Sequence, residues 1–165
     1  MADRTVHYEA AFEAYLREHG VPYVAVDEAK KALFSNARLK SFDFVVYNMH
    51  GRNLLVDVKG RQAKGKASSS SFQTWTTEQD VVDLLQWQAV FGDGFTAVLM
   101  FVYWIDPPVA PQPGMFMYRD RWYLLLGVEL SEYQEHMRRR SLKWETVAVP
   151  QADFRSLARP IEGWL

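Results

Sequence analysis

Two short runs combine acids and a lysine with apolar neighbours: Phe42-Asp43-Phe44-Val45-Val46 and Leu54-Leu55-Val56-Asp57-Val58-Lys59. Residues two apart on a strand point to the same face, so Asp57 and Lys59 would project together. A three-residue loop at Met49-His50-Gly51 would set Asp43 directly opposite Asp57, with Gly51 in the left-handed position that such loops favour. Two carboxylates buried side by side are costly unless a cation neutralises them. With oxygen ligands and no cysteine in the chain, the expected cation is a hard divalent ion, Mg²⁺ or Mn²⁺, that keeps several waters. An ion so placed can hold a scissile phosphate oxygen and activate a water. Lys59 beside it could orient or deprotonate that water and offset charge on the phosphorus oxygens. The same residues also admit a plainer account. Asp57 could pair with Lys59 or a nearby arginine as a half-buried edge-strand ion pair, with Asp43 only opening a strand. D-x-K by itself is common in solvated strands.

The elements that must position these groups follow from periodicity. Tyr8, Ala11, Phe12, Tyr15 and Leu16 make one apolar stripe and predict a helix over about Val6 to His19, stopped by Gly20 and Pro22. Glu9 lies at the margin of that stripe, so docking the helix on a sheet would carry it toward the sheet surface; most helix glutamates are simply solvated. Tyr23 to Val26 reads as a short strand, and the polar segment Asp27 to Lys40 has no clear period. Ser41 to Tyr47 and Asn53 to Lys59 read as a hairpin. Gly60 to Thr74, with Lys64, Lys66 and four consecutive serines, reads as a long loop, functional or disordered. Thr77 and Asp80 resemble a capping box opening a helix from about Glu78 to Phe91, closed by Gly92. A buried strand spans about Phe95 to Ile105. Four prolines make Pro107 to Gly114 a loop, and Met115 to Val128 looks like a hairpin turning near Arg119-Asp120-Arg121. A helix over about Ser131 to Arg140, a strand near Trp144 to Val149 and a helix near Asp153 to Ala158 complete the chain. This order predicts an α/β or α+β domain around a mixed sheet.

Glu9 in an N-terminal helix, Asp43 opening a strand, and Val56-Asp57-Val58-Lys59 together resemble the E…D…(D/E)xK pattern of PD-(D/E)xK nucleases. The Holliday-junction-resolvase-like subgroup looks nearest, and the resemblance covers roughly Val6 to Tyr103. It implies a restriction-endonuclease-like α/β fold, a single domain over 1–165 with a central mixed β-sheet flanked by helices. Residues 1–106 would hold the core and motif residues, and 107–165 would be a C-terminal extension of the same domain. It implies Asp43 and Asp57 as direct metal ligands with the Val58 carbonyl assisting, Glu9 as a ligand directly or through water, and Lys59 as the catalytic lysine. It further implies Mg²⁺ or Mn²⁺ as cofactor, DNA rather than RNA as substrate, and a homodimer, because such nucleases often work as dimers. The chain departs from the resolvases in having Asp57 where they usually carry Glu, and Phe42 where a Pro often precedes the first Asp. Its segment from Pro107 onward carries no motif assignable to the resolvases.

Other residues are secondary candidates. Lys64 and Lys66 could close over a phosphate backbone, and Arg138-Arg139-Arg140 with Lys143 could form a second contact patch; a solvated loop and a helix C-terminus favoured by cations are the alternatives. Gln86 and Gln88 could face the site, as glutamines do in some nucleases of this superfamily. Trp75, Trp87, Trp104, Trp122 and Tyr123 could stack on bases, though their apolar surroundings suit a core.

Composition narrows the field. In 165 residues there is no cysteine, which removes disulfides, thiolate catalysis and Cys-based zinc sites. His7, His19, His50 and His136 have no ligand spacing, and there is no G-x-S-x-G, P-loop or G-x-G-x-x-G. A net charge of -1 gives no bulk attraction to nucleic acid, so any phosphate-binding surface must be local. The N-terminus lacks a signal-peptide core, and the longest apolar run falls short of the about 20 residues that span a bilayer. The expectation is a cytoplasmic, metal-dependent nuclease with no membrane partner. The rival is an inactive nucleic-acid-binding or protein-interaction module on the same fold.

Overall fold

In a computed structural model of the chain, residues 6–26, 32–34, 37–64 and 72–165 are described. The chain runs α1 (Val6–Glu18), β1 (Tyr23–Ala25), β2 (Ala32–Phe34), β3 (Ala37–Leu39), β4 (Phe44–Val46), β5 (Asn53–Lys64) and β6 (Thr76–Thr77). It continues through α2 (Glu78–Phe91), β7 (Phe95–Asp106), β8 (Met115–Tyr118), β9 (Arg121–Glu129) and α3 (Leu130–His136). It ends with β10 (Arg138–Ser141), β11 (Thr146–Ala148), α4 (Gln151–Leu157), β12 (Arg159–Pro160) and a 3-10 turn, Ile161–Gly163.

The central sheet has the order β1-β4-β5-β7-β9-β12, with β8 paired to the free stretch of β9. Its spine is the parallel pair β5–β7, in register from Asn53↔Phe95 to Lys64↔Asp106 and linked through α2. The other pairings along this sheet are antiparallel, so it is mixed. β7, FTAVLMFVYWID, is apolar almost throughout because it is covered on both faces, as a central parallel strand requires.

Strand alternation divides the interior in two. Leu54, Val56 and Val58 pack with Tyr8, Ala11, Phe12, Tyr15 and Leu16 of α1, all of which the predicted stripe contained. Leu55 and Ala63 face the opposite layer, with Val81 and Leu84 of α2 and Leu130 and Tyr133 of α3. Asp57 and Lys59 share the parity of Leu55, so they emerge on the α2 side.

Thr77 caps α2, its hydroxyl accepting the Asp80 N–H at 3.1 Å, and Gly92 closes it at φ 79°. Replacing Thr77 with alanine is expected to lower stability by about 1 kcal/mol, read from the urea midpoint. An unmoved midpoint would mean that tertiary contacts alone hold the helix start.

Several elements differ from expectation. β5 runs on to Lys64 instead of stopping at Lys59, because β7 supplies backbone partners throughout. α3 ends at His136, and Arg138–Arg140 form a strand in a second sheet, β10-β11-β6. The β4–β5 connection is longer than three residues. Asn48 Oδ1 accepts the His50 N–H and Asn53 Oδ1 accepts the Asn48 N–H, at 3.0 and 3.1 Å, and Gly51 is not left-handed. Arg119 and Asp120 do turn the β8–β9 hairpin, both with positive φ. Among the described residues no helix is long and apolar enough to cross a membrane.

Candidate active site

Despite the different loop, the register is the one that three residues would have given: Phe44↔Val56, Val45↔Leu55 and Val46↔Leu54. Extending it by one step sets Asp43 against Asp57, but the ladder ends there. The Asp43 N–H donates to the Val56 carbonyl at 3.1 Å. The buried Asp43 carboxylate then takes the N–H of Val58 at 2.6 Å, substituting for the strand that has stopped. Beyond this point, among the described residues, β5 has no strand partner on the β4 side of the central sheet. N–H and C=O of one strand residue point to the same edge, so the Val58 carbonyl also faces this open stretch.

On the α2 face, Lys59 Nζ lies 2.8 Å from Asp57 Oδ2 and 2.6 Å from Asp80 Oδ2. These side chains are only 11, 14 and 9% exposed. Burial works against the Lys59 ammonium, but Asp57 and Asp80 outweigh it and hold its pKa above the usual lysine value. Burial likewise pushes the Asp80 carboxyl up, yet Lys59, with a further hydrogen bond from Lys40 at 2.9 Å, brings it down to about 2. Lys59 is thus a fixed cation in this arrangement. Asp83 accepts from the Lys40 N–H at 3.2 Å and from the Gln79 amide at 2.7 Å. Lys40, Asp57, Asp80, Asp83 and Trp87 line one narrow cleft.

Asp80 and Asp83 were not singled out from the sequence. A signal existed: Asp80, Leu84 and Trp87 follow i, i+4, i+7, which places an acid on the buried stripe of α2. Asp80 read instead as half of a capping box. That reciprocal half is absent from the hydrogen bonds of α2's start, because the carboxylate serves Lys59 and Lys40.

The remaining candidates are placed as follows. Glu9 is half-buried on α1, in the layer opposite Asp57 and Lys59; its neighbour Tyr8 lies on Gly60, which sets Glu9 at the level where β5 has lost β4. Among the described residues no three acids or histidines stand close enough to hold a metal ion, so Glu9, Asp43 and Asp57 are not gathered as a set. Asp43, just before β4, and Asp57 on β5, with a carbonyl edge beside them, still suit Mg²⁺, which commonly binds through one or two carboxylates and keeps its waters. Lys64 is exposed at the end of β5, and Lys66 lies outside the described residues. Gln86 is exposed, whereas Gln88 accepts the Ala97 N–H at 2.8 Å and is tied to the backbone of β7. His7 hydrogen-bonds the Tyr123 hydroxyl at 3.0 Å, and Tyr123 is buried.

No family model and no curated protein matches the chain. Among solved structures it is similar to Hjc, a Holliday junction resolvase from the archaeal hyperthermophile Archaeoglobus fulgidus, with a TM-score of 0.58 at 11% identity. The alignment covers 96% of this chain and 98% of that one. The fold is restriction-endonuclease-like. Such a likeness concerns the backbone, and function has to be argued from the side chains of this chain. Within a restriction-endonuclease-like fold, the acidic cleft lies on the parallel strand β5 and on α2, the helix that follows it. After Pro107 the chain goes on adding strands: β9 and β12 extend the central sheet, and β10–β11 join β6 beside the start of α2.

Proposed function

We propose that the protein is a metal-dependent nuclease that hydrolyses phosphodiester bonds in DNA. The observation that carries this reading is the adjacency of Asp57 and Lys59 on β5, at the point where β4 ends and Asp43 turns its carboxylate to Val58. Asp43 and Asp57 would hold Mg²⁺ or Mn²⁺ with the Val58 carbonyl, and Glu9 would act through a bound water. An ion held there supplies Lewis acidity to a phosphate oxygen and a water of lowered pKa. Lys59 contributes a fixed positive charge beside the reacting phosphate, where negative charge grows in the transition state. Asp80 holds that ammonium in place, and Trp87 and Leu84 wall the cleft on one side.

The test is cleavage of supercoiled plasmid, linear duplex, single strand and a four-way junction with Mg²⁺, Mn²⁺ or EDTA. Asp57→Asn and Asp43→Asn are expected to slow metal-dependent cutting by about 10³-fold, and Glu9→Gln by about tenfold. Asn at position 43 can still accept the Val58 N–H, so a loss there reports on charge. Cutting that persists in EDTA, or in Asp57→Asn, would overturn the mechanism. One observation favours a second reading, an inert nucleic-acid-binding module: the Lys59 ammonium is already held between two carboxylates, Asp57 and Asp80. That module would bind DNA, show no Mn²⁺ uptake by calorimetry and cut nothing.

A further inference from the structure

The run Arg138-Arg139-Arg140-Ser141-Leu142-Lys143-Trp144 places four cations around two large apolar residues. It forms β10 and the turn into β11. The Glu145 N–H returns to the Leu142 carbonyl at 3.3 Å, the Trp144 N–H meets the Ser141 hydroxyl at 3.3 Å, and Glu145 takes φ 49°. This turn does not bury its apolar side chains. Leu142 is 76% and Trp144 66% exposed, and the Lys143 ammonium lies 5.2 Å from the Trp144 ring.

The base of the same hairpin is pinned beside the candidate site. β11 pairs with β6 through Thr146↔Thr77 and Val147↔Thr76, and β6 leads directly into α2 and Asp80. Arg139 holds Glu78 at 2.8 Å. The pairing skips Arg140, which bulges between Arg139↔Val147 and Ser141↔Thr146. A bulge re-aims its side chain, and the Arg140 guanidinium lies 5.2 Å from the Trp75 ring. The other cation on Trp75 is Arg61, at 4.0 Å, two residues along β5 from Lys59. A row of cations around one indole therefore leads from Lys59 through Arg61 and Trp75 to Arg140, on the strand of the hairpin whose tip carries Trp144.

We propose that the Ser141–Glu145 tip packs Leu142 and Trp144 against an unpaired base of the bound DNA, while Arg138, Arg140 and Lys143 hold the neighbouring phosphates. The substrate class is then duplex DNA with a single-stranded flank or a discontinuity next to the scissile phosphate. Exposed aromatic rings among cations suit nucleobases, because stacking needs only a π face and the cations track the backbone. Apolar side chains on a protruding element can also wedge into a base step. Two apolar residues within a basic run are too small a patch for a hydrophobic protein interface. The inference rests on the nuclease reading, and binding can be measured separately from turnover.

The experiment is fluorescence anisotropy in EDTA with labelled blunt duplex and with the same duplex bearing a single-stranded tail. Wild type is expected to bind the tailed duplex about tenfold more tightly. Trp144→Ala should lose about tenfold on the tailed DNA and little on the blunt, with Leu142→Ser acting in the same direction. Trp144→Phe should keep most of the preference, since it retains a ring. Both positions are exposed, so circular dichroism should be unchanged. Equal affinities of wild type and Trp144→Ala for the tailed DNA would overturn the proposal while leaving cleavage, and the nuclease reading, intact. So would loss of binding to phosphatidylserine vesicles in Trp144→Ala with DNA binding unaltered, which would give the tip to a membrane surface. Failure of wild type to bind any DNA would remove both readings together.

Discussion

Lys59→Met is expected to lose metal-dependent cleavage by about 10² to 10³-fold and, independently, about 3 kcal/mol of stability. The two losses have different causes. In catalysis, a buried ammonium beside the phosphate is a preorganised charge, and removing one such group from a water-poor site raises the barrier by several kcal/mol. In folding, Lys59 separates Asp57 and Asp80, whose carboxylate oxygens lie 2.8 and 2.6 Å from Nζ. Without it two nearly buried carboxylates share a face, and the other cation on Asp80, Lys40, is 60% exposed and therefore well screened. Removing one member of a buried ion pair typically costs several kcal/mol, because the remaining charge is left uncompensated. A second substitution separates the effects. Asp80→Asn on the Lys59→Met background removes the stranded charge, so it should restore much of the stability and none of the cleavage. The measurements are urea unfolding and single-turnover cleavage on wild type, each single variant and the double variant. Wild-type cleavage by Lys59→Met would reduce Lys59 to a structural ion pair, the plainer account that the D-x-K triplet also admits.

The Asp57–Lys59–Asp80 cluster was only half legible in the sequence. Asp57 and Lys59 share a face through the two-residue period of a strand, so their adjacency could be read directly. Asp80 could not be found that way: it is 21 residues from Lys59, and the pair forms only because α2 crosses over β5 to reach β7. The role of the Asp43 carboxylate was likewise hidden. It depends on β4 beginning only at Phe44, and strand length is set by which backbone groups find partners. Partners also account for the missed half of β5. Gly60, Arg61, Gln62 and Lys64 look like a loop by composition, but β7 runs alongside and satisfies their backbone. Arg138–Arg140 looked like a helix end and became a strand for the same reason, since β11 lay open to pairing. By contrast α1, α2 and β7 were readable because each has a strong period or a continuous apolar run of its own, with Thr77 and Gly92 marking the ends of α2.

Gly60→Ala should be the most damaging glycine-to-alanine change among the described residues, with an expected loss of about 3 kcal/mol. The backbone at Gly60 has no positive φ, so conformational strain is not the cause. Space is. A methyl group there would stand 2.7 Å from Tyr8 Cβ and closer still to Cγ and Cδ2 of the same ring. The ring has little room to retreat: Tyr8 is 7% exposed, with the His7 ring 3.9 Å away on one side and the Tyr123 ring 6.2 Å away edge-on. Interiors packed this closely answer an added methyl by moving an element, and here the element is α1. The consequence reaches the site, because Gly60 follows Lys59 directly and Glu9 follows Tyr8. Lifting α1 would withdraw Glu9 from the open stretch of β5 without touching Asp57 or Lys59. A compensating change provides the check. Tyr8→Ala alone should be destabilising through its lost packing, and combined with Gly60→Ala it should cost less than the two separately by about 1 to 2 kcal/mol. Chemical denaturation of the four proteins closes the cycle. A Gly60→Ala protein within about 0.5 kcal/mol of wild type would show that α1 does not sit on β5 this closely, and the proposed part of Glu9 in the site would fall with it.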